Sequence, residues 1–288
     1  MQLSTPVPVE PSQLRISHGT PLLTLGSCFA DNIGQKLSDA GHNILCNPFG
    51  TLYNPLSIAL ALDYALADRE IDPTWLVQNQ GLWHSWMHHT RFSHPDADTC
   101  LQGCNQAIHQ THQQLLQRPI ILITFGTIFV YQLASGPHQG RTVANCHKLP
   151  PQQFTRTPLS VTQIVDTWQP FLGELSDLGC SFIFTVSPIR HIADGLHQNQ
   201  LSKSTLLLAV HTLLQQTPTA HYFPAYEILL DQLRDYRFYA RDMCHPSDLA
   251  VDIIWQHMQD TFMSPSTQQQ NIINTKQHLR TLHRPIAI

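Results

Sequence analysis

The chain has 288 residues, 42% of them hydrophobic, enough for a sizeable buried core in a single domain over 1–288. Charged residues are only 12% and the net charge is −4, which leaves no basic footprint for nucleic acid. Residues 1–6 lack a secretory pattern, and no apolar run approaches the ~20 residues of a membrane span, so a cytoplasmic protein without membrane partners is expected. Seven cysteines at irregular spacing point to reduced thiols rather than a disulfide framework.

Short apolar runs at 22–25, 43–46, 120–125 and 182–186 alternate with amphipathic stretches, the pattern of βαβ units and a parallel sheet covered on both faces. The loops that follow are Gly26-Ser27-Cys28, Asn47-Pro48-Phe49-Gly50, Gly126-Thr127 and Ser187-Pro188-Ile189-Arg190-His191. Ligands bind beyond the carboxyl ends of strands in a doubly wound sheet, so the four loops are expected to meet at one crevice. The first is the most informative. A strand that breaks at Gly26 and re-emerges as a helix puts Ser27 or Cys28 where backbone N–H groups and the helix dipole stabilise an anion. A cysteine there is expected to have a lowered pKa.

Asn54-Pro55 reads as an N-cap with proline in the first turn, and Ile58, Leu60, Leu62, Ala65 and Leu66 continue that helix. Residues 81–98 and 135–157 break the rhythm and read as long functional loops, rich in histidine and aromatic side chains. Between them, Cys100 and Cys104 fit packing on a helix, since no second pair completes a zinc set. Ser160 and Gln163 resemble a capping box, with Pro170 expected to kink the helix that follows. Residues 201–214 read as an apolar helix, and residues 249–255 as the start of a terminal one.

Asp242-Met243-Cys244-His245-Pro246 supplies a D-x-x-H pattern, so the chain holds a candidate nucleophile, base and orienting carboxylate. His84, His88, His89 and His147 have spacing that invites a metal reading, but without a clear carboxylate or cysteine partner a pocket-lining role is preferred, and no metal is expected. Arg190, His191 and Lys148 are candidates for holding an anionic part of a ligand.

The run Gly26-Ser27-Cys28-Phe29-Ala30 is the signature of the GSCFA family. Asn47-Pro48-Phe49-Gly50, Asn145-Cys146-His147-Lys148, Val186 to His191 and Arg234 to Tyr239 resemble its other motifs, and the similarity covers roughly residues 21–265. That family is similar to the SGNH (GDSL-type) hydrolases, which implies a three-layer α/β/α sandwich with a central parallel sheet in flavodoxin-like order. The resemblance makes His245 the implied general base and Asp242 its partner. It makes Gly50 an oxyanion donor by its N–H. The third SGNH block is matched only at Gly126; its asparagine is absent, and Thr127, Asn47 or Asn145 are the substitutes. By residue type the nucleophile is Ser27; by spacing it is Cys28, which is preferred because adjacent side chains at a strand end point opposite ways. The implied activity is hydrolysis of a small-molecule or glycan acyl ester, without a cofactor. An acyltransferase on the same scaffold, or a non-catalytic carbohydrate- or peptide-binding protein, is the alternative.

Overall fold

The computed structural model describes residues 5–282. Along the chain, β1 (Leu22–Gly26) leads into α1 (Cys28–Asp39) and β2 (Ile44–Cys46), followed by α2 (Pro55–Leu66). A hairpin of β3 (Leu76–Asn79) and β4 (Leu82–Ser85) precedes α3 (Ala97–Leu116) and β5 (Ile120–Phe125). Next come β6 (Phe129–Leu133), β7 (Thr142–Val143) and β8 (Phe154–Pro158), then α4 (Val161–Asp177), β9 (Ser181–Val186), α5 (Leu196–Gln216) and β10 (Ala220–Tyr222). The short α6 (Ala225–Glu227), α7 (Asp248–Phe262) and α8 (Pro265–Leu282) complete it.

Five strands form a parallel sheet in the order β10-β9-β5-β1-β2, so its members run 2-1-3-4-5 when counted along the chain. This is the expected flavodoxin-like order, and the layers follow from the strand period. Leu23, Leu25, Ile121, Ile123, Phe182 and Phe184 face a core shared with α2, α3, α4 and α5. Their neighbours Leu22, Ile120, Leu122 and Ile183 face a second core with Phe29 and Ile33 of α1 and Ile254 and Met258 of α7. β1 and β5, buried at every position with Thr24 and Thr124 included, are thus covered twice, which is the three-layer α/β/α sandwich. Each fully buried side chain of this size contributes about 1.5–3 kcal/mol.

Two helix starts follow the sequence closely. Asn54 accepts from Ser57 N at 2.8 Å ahead of Pro55, and Ser160 and Gln163 form a reciprocal capping box. Pro170 lies within α4, which continues through it. Trp168, fully buried, donates its indole N–H to the Pro55 carbonyl at 3.1 Å and fastens α4 to α2.

Close approach governs two glycines of the first unit. Gly26 has φ +142°, and a Cβ there would collide with the Thr124 carbonyl of the neighbouring strand. In α1, a Cβ on Gly34 would occupy the place of the Cys46 sulfur, so helix and strand pack unusually near.

The long loops of the sequence reading are partly built structure. Residues 81–98 contain β4 and a 3-10 turn at Thr90–Phe92. Residues 135–157 contain β7 and most of β8, which pair antiparallel with β6 in the order β7-β6-β8. Few of these strands alternate cleanly, which hid them. Among the described residues no helix is long and apolar enough to cross a membrane.

Candidate functional site

The chain passes from β1 to an edge strand, β2, and then back across to β5, so the crevice between the carboxyl ends of β1 and β5 is the switch point of the sheet. Gly26 turns the chain there, its N–H donating to Asn47 Oδ1 at 2.9 Å. Ser27 caps α1: its φ/ψ of −67°/172° is extended, its Oγ accepts from Phe29 N at 3.4 Å, and the residue is buried. Cys28, the first helical residue, lines a cavity of about 570 Å³.

His245 enters the same cavity from the loop before α7. Its Nε2 lies 3.5 Å from Cys28 Sγ, and its Nδ1 lies 2.6 Å from Asp242 Oδ2. Asp242 is fixed in turn, because Oδ1 accepts from the backbone N–H of Cys244 at 2.9 Å and of His245 at 3.0 Å. Those two amides, His245 first, and then the imidazole hold the Asp242 carboxyl well below the usual carboxylate range. The loop kinks at Met243, with φ +58°, and Arg190 pins the kink by donating Nε and Nη2 to the Met243 carbonyl. Arg190 also stacks on Tyr239 at 4.1 Å. Its guanidinium thus braces the loop while also lining the cavity.

Burial pushes the Cys28 thiol up to about 11, against the pull of the Cys28 and Phe29 N–H groups and the Lys203 ammonium. The lowered pKa expected from the helix N-terminus is reversed. Desolvation at the foot of a partly closed cavity outweighs the dipole.

The other anticipated residues divide sharply. Gly126 and Thr127 lie at the crevice, but both of their N–H groups donate to the Tyr53 carbonyl, at 2.8 and 3.0 Å. The Gly50 N–H donates to Asn47 O at 2.7 Å, and the Asn47 amide bridges Gly26 and Asp31. Neither Gly50 nor Asn47 lines the cavity; both brace the turn beneath it. These four N–H and amide groups are occupied as hydrogen-bond partners of the fold and are not free oxyanion donors. Asn145 and His191 do line the cavity. Asn145 Oδ1 accepts from His147 N at 2.8 Å, while burial and then Lys203 hold the His191 imidazole down to about 4, neutral.

His84 and His147 stand elsewhere, stacked on each other at 4.6 Å and bonded to Ser93 Oγ and the Ser85 carbonyl. Lys148 is exposed and outside the cavity. His88 is fully enclosed, and its burial lowers it to about 3. Among the described residues no three His, Cys, Asp or Glu side chains gather to hold a metal ion.

A family model describing the GSCFA family matches residues 21–258, which spans β1 through most of α7 and includes every member of the Cys28–His245–Asp242 chain. The chain belongs to the GSCFA family. Comparison with curated proteins finds no match. The GSCFA motif itself, Gly26 to Ala30, thus divides its work. Glycine turns the strand, serine caps the helix, cysteine faces the cavity, and Phe29 and Ala30 are buried, with Phe29 in the α1 core.

Several site residues were missed in the sequence. Asn54 lines the cavity; its Oδ1 is fixed by the cap bond, and its amide nitrogen has no acceptor among the described residues. Phe129, Tyr131 and Arg156 of the β6–β8 sheet form a wall, where Arg156 stacks on Phe129 at 3.7 Å and reaches both Asp194 oxygens at 2.7 Å. Behind the wall, α5 begins earlier than the apolar pattern implied and buries three polar residues. Asn199 accepts from His191 N at 2.9 Å, Ser202 from Ile128 N at 3.0 Å, and Lys203 holds the carbonyls of Gly126 and Ser187. The signal was the spacing 199, 202, 203, one polar face of a helix.

Proposed function

We propose that this GSCFA protein is an acyl-ester hydrolase of SGNH type, with Cys28 as nucleophile, His245 as general base and Asp242 as its orienting partner. The observation that carries the reading is the continuous chain Cys28 Sγ–His245 Nε2 at 3.5 Å and His245 Nδ1–Asp242 Oδ2 at 2.6 Å. The D-x-x-H-P sequence, like that of SGNH hydrolases, supports it.

The high thiol pKa keeps Cys28 protonated at rest, so deprotonation accompanies attack. Sγ bonds to the ester carbonyl carbon as its proton passes to Nε2. The developing oxyanion meets the Cys28 backbone N–H at the start of α1 and the Asn54 amide across the cavity. The tetrahedral species collapses, the C–O bond breaks, and the alcohol leaves with the proton from Nε2. Water, giving a proton to the same nitrogen, then attacks the thioester carbonyl; the C–S bond breaks, the carboxylic acid leaves, and Nε2 returns the proton to sulfur. Asp242 fixes the tautomer with hydrogen on Nδ1 and offsets the imidazolium charge. A 570 Å³ cavity walled by Phe129 and Tyr131 suits a small-molecule or glycan acyl ester.

The test is turnover of short-chain aryl esters, with the intact mass followed for an acyl adduct. Cys28→Ala is expected to abolish the adduct and His245→Ala to lower turnover by on the order of 100-fold or more. Adduct formation on Ser27, or turnover unchanged in Cys28→Ala, would overturn the assignment. Acyl release to an added sugar hydroxyl in preference to water would make the enzyme a transferase using the same first half-reaction.

A further inference from the structure

Lys203 is fully buried in α5, with Nζ 2.7 Å from the Gly126 carbonyl and 2.8 Å from the Ser187 carbonyl. Among the described residues no carboxylate pairs with it, and the Tyr226 ring lies 5.9 Å away. An enclosed ammonium with only neutral acceptors is expensive to maintain, whereas a methionine of similar volume would be accommodated without desolvating a charge. Burial pulls the group down to about 7.

The two carbonyls it holds lie just beyond the ends of β5 and β9. A Cβ on Gly126 would lie 3.5 Å from the Ser27 Cβ, so the backbone whose carbonyl holds the ammonium packs directly against the loop that presents Cys28. The charge coupling between Cys28 and Lys203 runs both ways, favouring thiolate and ammonium together. Other groups facing this region are Asp31 of α1, Tyr53 ahead of α2, His191 after β9, Tyr226 of α6 and His245, and Asp31 opposes the thiolate.

We infer that Lys203 is a positioning residue of the site, whose buried ammonium, anchored on the Gly126 and Ser187 carbonyls, stabilises negative charge as it develops on the Cys28 sulfur. Its bearing on turnover rests on the acyl-transfer reading above. The proton leaving sulfur still goes to His245; Lys203 transfers none.

The experiment compares the full-length protein with Lys203→Met, following iodoacetamide alkylation of the Cys28 peptide by mass spectrometry across pH. Below about 7 the ammonium is present, and the wild type should react on the order of tenfold faster. By pH 9 the amine is neutral and the two rates should converge. A rate ratio independent of pH would reduce Lys203 to a structural brace and overturn the proposal. Should Lys203→Met fail to fold, the same curve for the His245→Asn protein, which removes the imidazole from the comparison, must rise by less than tenfold per pH unit between 6 and 8. A strict tenfold rise per unit would overturn it. Alkylation needs no turnover, so a pH-dependent ratio without any acyl-enzyme would sink the hydrolase reading and leave the charge coupling intact.

Discussion

Cys28 and His245, 217 residues apart in sequence, bring sulfur and Nε2 to within 3.5 Å of each other, while the adjacent Ser27 turns its hydroxyl back onto the first turn of α1. One hydroxyl and one thiol, side by side in the chain, therefore have separate structural duties. The strand end allows only one of them into the cavity.

Ser27→Ala removes a helix cap. The expected outcome is a loss of about 0.5–2 kcal/mol in unfolding free energy, measured by denaturant titration, with the Cys28 alkylation rate near that of the wild type. Loss of acyl-enzyme in Ser27→Ala at unchanged stability would contradict the assignment of the cap.

The Cys28 thiol, pushed up to about 11 by burial, is mostly protonated at neutral pH. Alkylation should be slow at pH 7 and at least tenfold faster at pH 9, because the thiolate is the reactive species. A rate that is already maximal at pH 7 would show an ionised sulfur and an inverted proton inventory.

Asp242→Asn should leave the fold standing and reduce turnover by on the order of 10²–10⁴, since the imidazole loses the acceptor that selects its tautomer. The ordinary Asp value of 3.8 is lowered by the His245 and Cys244 amides. Its stabilising contacts are therefore fully present above 3.8 and are lost as pH falls through the lower folded value. Turnover measured in acid should show no limb belonging to Asp242 at pH 4; a limb there that vanishes in Asp242→Asn would contradict this.

Lys203 has the same sense of linkage, displaced to higher pH. Folding lowers it from 10.5 to about 7, so between these values the unfolded chain binds a proton that the folded protein does not. Stability relative to Lys203→Met should rise from pH 7 toward 10.5, be complete above that, and be lost as pH falls through 7. Parallel stability curves for the two proteins would show that the amine is not desolvated.

β1, β2, β5 and β9 were legible because they are mostly apolar and lead into glycine, proline or asparagine. Ile120–Phe125 agrees with its expected limits, and the others extend them by a residue or shorten them by one. β10, three half-buried residues containing His221, carried too little pattern to be seen. Asp242 and His245 were legible from spacing alone, since three residues suffice for the carboxylate to reach both the backbone and the ring. Which backbone N–H groups stay free at the cavity was not. Whether an N–H is free depends on which carbonyl lies opposite, and Tyr53, which takes the amides of Gly126 and Thr127, sits in a distant stretch of sequence. Cavity walls contributed by β6 and β8 were hidden for the same reason, since neither strand carries a clean period of two.

The seat of α1 on β2 has a geometric consequence for the Cys28 sulfur. Gly34 lies six residues along the helix from Cys28, a distance of about 9 Å, and Cys46 fills the space where its side chain would be. Glycine and sulfur form the fulcrum of a lever whose far end carries Cys28. A single methyl group at position 34 would raise the middle of the helix from the sheet and swing its tip away from the imidazole, so the residue that aims Cys28 is one that never touches it.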